Sequence, residues 1–116
     1  MSYQLPNFLR RSATDTATAS AAVAVVTYAA ATGGQQHALT SITATYSGTP
    51  TGGGLKVEDG TGTIIFQADI TAAAPPLFSF QPPLAGSANT ALIVTLLAGG
   101  AGIVGKLNCG HLVVGQ

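Results

Sequence analysis

The chain has 116 residues, zero formal net charge and only 7% charged side chains, against about 25% in ordinary soluble domains. That length fits one domain, and such sparse charge, with no basic surface to neutralise phosphates, argues against a nucleic-acid partner. A chain that lacks the surface charge keeping free monomers apart reads as a building block of an assembly and not as an enzyme.

Alanine, valine, isoleucine, leucine and threonine dominate, glycine (15) and proline (6) are frequent, and tryptophan is absent. This mixture suits short strands and tight turns. Residues 1–18 show no sustained period. Tyr3, Leu5, Phe8 and Leu9 are apolar, Pro6 opposes a helix, and Arg10, Arg11 and Asp15 follow. The segment reads as an extended N-terminal arm held by its own domain or by a neighbouring subunit, with Tyr3, Leu5, Phe8, Leu9, Arg10 and Arg11 as its expected partner-binding residues and 19–116 as the folded domain. Arg10-Arg11 ahead of the apolar run Ala21–Ala31 superficially resembles a signal peptide. Asp15 and several Thr and Ser interrupt that pattern, so the run is expected to be a strand and to stay uncleaved. No stretch is long enough to cross a bilayer as a helix.

Strands are expected next in chain order. The first covers 19–31 and ends at Gly33-Gly34. The second covers 38–47, with Ala38, Thr40, Ile42, Ala44 and Tyr46 on one face and His37, Leu39, Ser41, Thr43 and Thr45 on the other. Leu55-Lys56-Val57-Glu58 alternates, Asp59-Gly60-Thr61-Gly62 signals a hairpin, and 63–70 returns with Ile64, Phe66, Ala68 and Ile70 on one side. Residues 72–76 form a loop, and 77–80 a short strand before Pro82-Pro83, which confine it to a sheet edge or a crossing. The apolar segment 89–98 reads as a central strand, and 103–114 as the last. Seven to eight antiparallel strands at this spacing predict an all-β, single-domain sandwich or jelly-roll-like fold.

Chemistry-bearing residues are few. Asp69 alternates with Gln67 as an exposed strand carboxylate, and Glu58-Asp59 fit turn chemistry better than a calcium loop, which needs six to eight oxygens. Cys109 and His111 share a strand face, and with His37 they fall short of a tetrahedral zinc set. Lone Cys109 reads as a small buried hydrophobe and implies no disulfide. The glycine runs read as turns, and Phe78 and Phe80 as core or subunit-seam residues. No catalytic residue, cofactor or metal is expected.

Several blocks resemble a known group. They are Ile42-Thr43-Ala44-Thr45-Tyr46-Ser47-Gly48-Thr49-Pro50-Thr51-Gly52-Gly53, Leu55-Lys56-Val57-Glu58-Asp59-Gly60, Asp69-Ile70, Phe80-Gln81-Pro82-Pro83-Leu84-Ala85-Gly86, and 92–107 with Ala98-Gly99-Gly100-Ala101-Gly102 inside it. Together, over about 37–109, they resemble small structural proteins of tailed bacteriophages. The resemblance implies a decoration, or cement, protein: a β-sandwich made in the host cytoplasm that binds the outer surface of the virion's capsid. Its expected partner is the major capsid protein, and it is expected to be a homo-oligomer, with a trimer favoured. The alternative is a head-fibre or tail-associated module adhering to host glycans or proteins. A pilus-like subunit exchanging its apolar arm is a further option.

Overall fold

A computed structural model describes residues 15–73 and 77–115 of the chain. Its eight strands are β1 (Thr16–Ser20), β2 (Ala24–Tyr28), β3 (Gln36–Tyr46), β4 (Gly54–Asp59), β5 (Ile64–Asp69), β6 (Phe78–Ala85), β7 (Leu92–Leu96) and β8 (Val104–Val114). They form two four-stranded antiparallel sheets, ordered β1-β8-β3-β6 and β2-β7-β4-β5.

The pairings β1–β8, β2–β7, β3–β6 and β4–β5 are nested. A chain paired in this way is one long hairpin rolled into two sheets, which is the jelly roll. β7 lies inside its sheet and β6 at an edge, as the apolar run 89–98 and the prolines predict, and β8 also lies inside its sheet.

The core between the sheets follows period-two burial. Val26 and Tyr28 of β2, Ile42 and Ala44 of β3, Leu55 and Val57 of β4, Leu92, Val94 and Leu96 of β7, and Leu107 of β8 are all buried. Fully burying a Val or Leu side chain contributes about 1.5–3 kcal/mol, so these residues supply the main cohesion. Phe66 of β5 meets Phe78 and Phe80 of β6 edge-to-face, with centroids 5.6 and 5.0 Å apart, and bridges the open side of the sandwich.

Local irregularities change the faces that simple alternation predicts. The expected strand 19–31 is two strands. Ala21 adopts φ 52°, its amide donates to the Ile103 carbonyl at 2.9 Å, and the chain passes from one sheet to the other. β1 starts at Thr16, so residues 16–18, expected in the arm, pair with β8. In β3, Leu39 pairs with His111 and Ser41 with Gly110, leaving Thr40 as a bulge. A bulge resets the alternation, so His37 and Leu39 join Ile42 and Ala44 on the inner side and Ala38 does not. In β5 the register runs from Phe66↔Val57 to Ile64↔Glu58, which makes Ile65 the extra residue. Ile64 therefore faces outward instead of sharing the Phe66 face. β6 extends past Pro82-Pro83, where simple alternation ends it; its register with β3 jumps from Ser79 to Leu84 and accommodates the prolines as an edge irregularity.

Tyr46 ties the two sheets together. Its hydroxyl, from β3, donates to the Leu97 carbonyl at 2.7 Å and accepts from the Gly54 amide at 3.4 Å. Gly99 makes room for the ring, since a Cβ there would lie 2.7 Å from Tyr46 Cδ1. Gly99 is thus a packing requirement, where the sequence suggests only a turn.

Candidate functional site

The expected docking residues Tyr3, Leu5, Phe8, Leu9, Arg10 and Arg11 lie outside the described residues. What the structure shows is the place from which that segment departs. Asp15 is buried beside β8, and its carbonyl accepts the Cys109 amide at 2.8 Å. Its carboxylate Oδ1 accepts the Tyr28 hydroxyl at 2.5 Å.

Around this point the bulge at Thr40 and the inward parity of β8 gather a polar cluster. His37 Nδ1 and His111 Nε2 are 2.9 Å apart, and His37 Nε2 is 2.6 Å from the Ala29 carbonyl oxygen. A carbonyl only accepts, so His37 carries its proton on Nε2 and, when neutral, accepts at Nδ1 from the Nε2–H of His111. Tyr28 stacks on His111 with centroids 3.7 Å apart and planes within 6°.

Burial dominates the electrostatics. It lowers the His111 pKa to about 4, helped by neighbouring His37 and opposed by Asp15. Burial and the nearby Asp15 carboxylate push the Cys109 thiol up to about 12. Burial, and then the hydrogen bond to Asp15, raise the Tyr28 phenol far above its ordinary value. Tyr28 of β2, through its hydroxyl, and Cys109 of β8, through its amide, fasten Asp15 to both sheets. No buried side-chain nitrogen or oxygen among the described residues lacks a hydrogen-bond partner. His37 and His111 do meet, as the weighed zinc set required. Among the described residues, however, no group of three or more His, Cys, Asp or Glu side chains could hold a metal. Sequence reasoning misses Asp15 and Tyr28 as members; the parity of Tyr28 with Val26 and Ala24 is the signal that would place it inside.

The carboxylates at the β4–β5 turn serve the backbone. Glu58 Oε2 accepts the Gly62 amide at 2.9 Å, and Asp59 accepts the Ser87 amide and hydroxyl at 2.9 and 2.6 Å. Asp69 is exposed on β5, as its alternation predicts.

The two outer faces differ in chemistry. On the β1-β8-β3-β6 sheet the cross-strand rows are Thr18, Lys106, Thr45 and then Thr16, Asn108, Thr43, followed by Gly110, Ser41, Ser79. Lys106 is the sole Asp, Glu, Lys or Arg in those four strands. These rows make a hydroxyl and amide surface with almost no charge, and beyond the Thr40 bulge the same face turns apolar at Leu112, Ala38 and Ala85. On the β2-β7-β4-β5 sheet the rows are Val25, Thr95, Lys56, Gln67 and then Thr27, Ile93, Glu58, Ile64. Val25 and Ile64 are 42% and 47% exposed, and Leu97 stands at the end of the same face above Gly54. Beside Leu97, a shallow cleft of about 350 Å³ is lined by Lys56, Gln67 and Asp69.

No protein-family model and no curated protein matches the chain.

Proposed function

We propose that this chain is a structural protein of a tailed-phage virion that binds the outer surface of the assembled capsid and stabilises it. The observation that carries this reading is the hydroxyl-rich, nearly charge-free outer face of the β1-β8-β3-β6 sheet, on an eight-stranded jelly roll. Jelly rolls recur in viral capsid domains, although fold alone sets no function. The chemistry of the face adds the specific support. A flat array of Thr, Ser and Asn hydroxyls and amides makes many short hydrogen bonds without the desolvation cost of buried charge. The phage resemblance of 37–109 points the same way.

In this reading the Asp15–Tyr28–His111 cluster anchors the chain where the described domain begins. Tyr3, Leu5, Phe8, Leu9, Arg10 and Arg11 then reach a neighbouring capsid subunit. A protein that binds only the assembled shell stabilises it by mass action, about 2.7 kcal/mol per site at a hundredfold excess over Kd. Repetition over the shell multiplies the effect.

The test is co-sedimentation with matched undecorated capsids, using wild type and Thr18→Asp/Thr45→Asp on the hydroxyl face. Saturable binding that the double variant weakens at least tenfold is expected. Equal binding by both proteins removes this face from the contact.

The cleft beside Leu97 favours a second reading, an adhesive module. Lys56, Gln67 and Asp69 offer the donors and acceptor that a glycan hydroxyl pattern needs. Glycan-array binding abolished by Asp69→Ala, without any capsid binding, would select it.

A further inference from the structure

We propose that the outer face of the β2-β7-β4-β5 sheet is a self-association surface, on which a second copy of this chain packs face to face about a two-fold axis. The surface is distinct from the hydroxyl face assigned to the capsid, and its occupancy is measurable on the protein alone.

The apolar content comes first. Val25, Ile64 and Leu97 are among the few large hydrophobic side chains left exposed, and the register puts all three on this one face, with Ile93 half-buried between them. The opposite sheet presents hydroxyls over most of its outer rows, with its outward apolar residues Leu112, Ala38 and Ala85 confined to one end.

Charge then selects the occupant and the axis. Lys56 and Glu58 are successive outward residues of β4, near the middle of the face, and their side chains form an ion pair at 3.8 Å. A two-fold in the plane of the face, running across the strands between these residues, sets β4 antiparallel over β4 of the mate. Each Lys56 then stands over the mate's Glu58, and a face with one central cation and one central anion complements itself. The same axis sets Val25 over Thr27 of the mate, and Leu97 over the small residues Ala91 and Gly60 at the other end. A two-fold running along the strands would instead set Lys56 over the mate's Thr95 and place no opposite charge across the interface.

Size fixes the strength. Four strands about 4.8 Å apart and roughly six residues long, at about 3.4 Å each, give a face of roughly 400 Å² in plan. Pairing two such faces removes on the order of 1,000 Å² from water, the lower limit for a specific interface. The pairing is therefore weak in dilute solution and strong where copies are held side by side.

Sedimentation velocity on the full chain, from about 10 μM to about 1 mM, tests the proposal. Wild type is expected to shift from monomer to dimer across this range. Val25→Asp, at an exposed position, is expected to weaken the dimer at least tenfold, and Thr18→Asp on the other sheet to leave it unchanged. Lys56→Glu sets like charges across the axis twice and is expected to dissociate it. The swap Lys56→Glu/Glu58→Lys is expected to restore it. If the swap fails to fold because the Glu58–Gly62 bond is lost, Val25→Asp and Lys56→Glu decide the matter. Wild type that stays monomeric at about 1 mM, a trimer, or Val25→Asp associating like wild type would overturn the proposal.

Discussion

Tyr28 lies flat against His111, with ring centroids 3.7 Å apart, while its hydroxyl donates to Asp15. One side chain of β2 thereby couples the first described residue of the domain to a histidine of β8 and, through it, to His37 of β3. Tyr28 and Cys109, which bond Asp15, and His111, which stacks on Tyr28, are the groups of this cluster whose protonation is perturbed.

That coupling has a pH consequence. The folded state lowers the His111 pKa from 6.5 to about 4. Between these values the unfolded chain binds more protons than the folded one, so stability rises with pH there and falls on acidification. Urea denaturation at pH 7 and pH 4.5 should show a loss of about 1–2 kcal/mol from this group, after allowance for its partial solvation. His111→Phe should flatten that part of the profile.

Cys109 should be chemically silent in the native state. Burial pushes its thiol up to about 12, so almost no thiolate exists at pH 8. Labelling with a chromogenic disulfide at pH 8 should proceed only as fast as the domain opens, and become immediate in denaturant.

The inter-sheet tether at Tyr46 offers a direct check on the packing. Tyr46→Phe leaves the Leu97 carbonyl without its 2.7 Å donor, for an expected loss of about 1–2 kcal/mol. Gly99→Ala drives a Cβ to 2.7 Å from the same ring and should cost about 1–3 kcal/mol through overpacking. Chemical denaturation of each variant measures both. Because the two residues touch, the double variant should lose less than the sum.

Tyr28→Phe removes the hydroxyl from Asp15 while keeping the stack on His111. An expected loss of about 1–2 kcal/mol should be accompanied by faster amide exchange in β1, with β4 and β5 unchanged.

Strand number and order of burial were legible because Gly and Pro punctuate the chain and the runs between them alternate. Leu55 and Val57 point inward as written, and Pro82-Pro83 sit on an edge strand. What alternation hides is any residue that interrupts it. Thr40 and Ile65 carry no mark of a bulge, yet each reverses the faces on one side of itself, turning His37 inward and Ile64 outward. Ala21 is no glycine, yet it adopts the left-handed turn that splits one expected strand into two. The polar cluster needs contacts between residues as distant as His37 and His111, and two-residue periodicity says nothing about such pairs. The chemical difference between the outer faces was invisible until register placed the rows side by side.

Thermal release of packaged DNA from matched undecorated capsids, with and without saturating protein, tests the capsid reading most directly. A release temperature raised in proportion to occupancy, and no rise with Thr18→Asp/Thr45→Asp, is the result that follows from a stabilising protein bound through the hydroxyl face. An unchanged release temperature at saturating protein would contradict it.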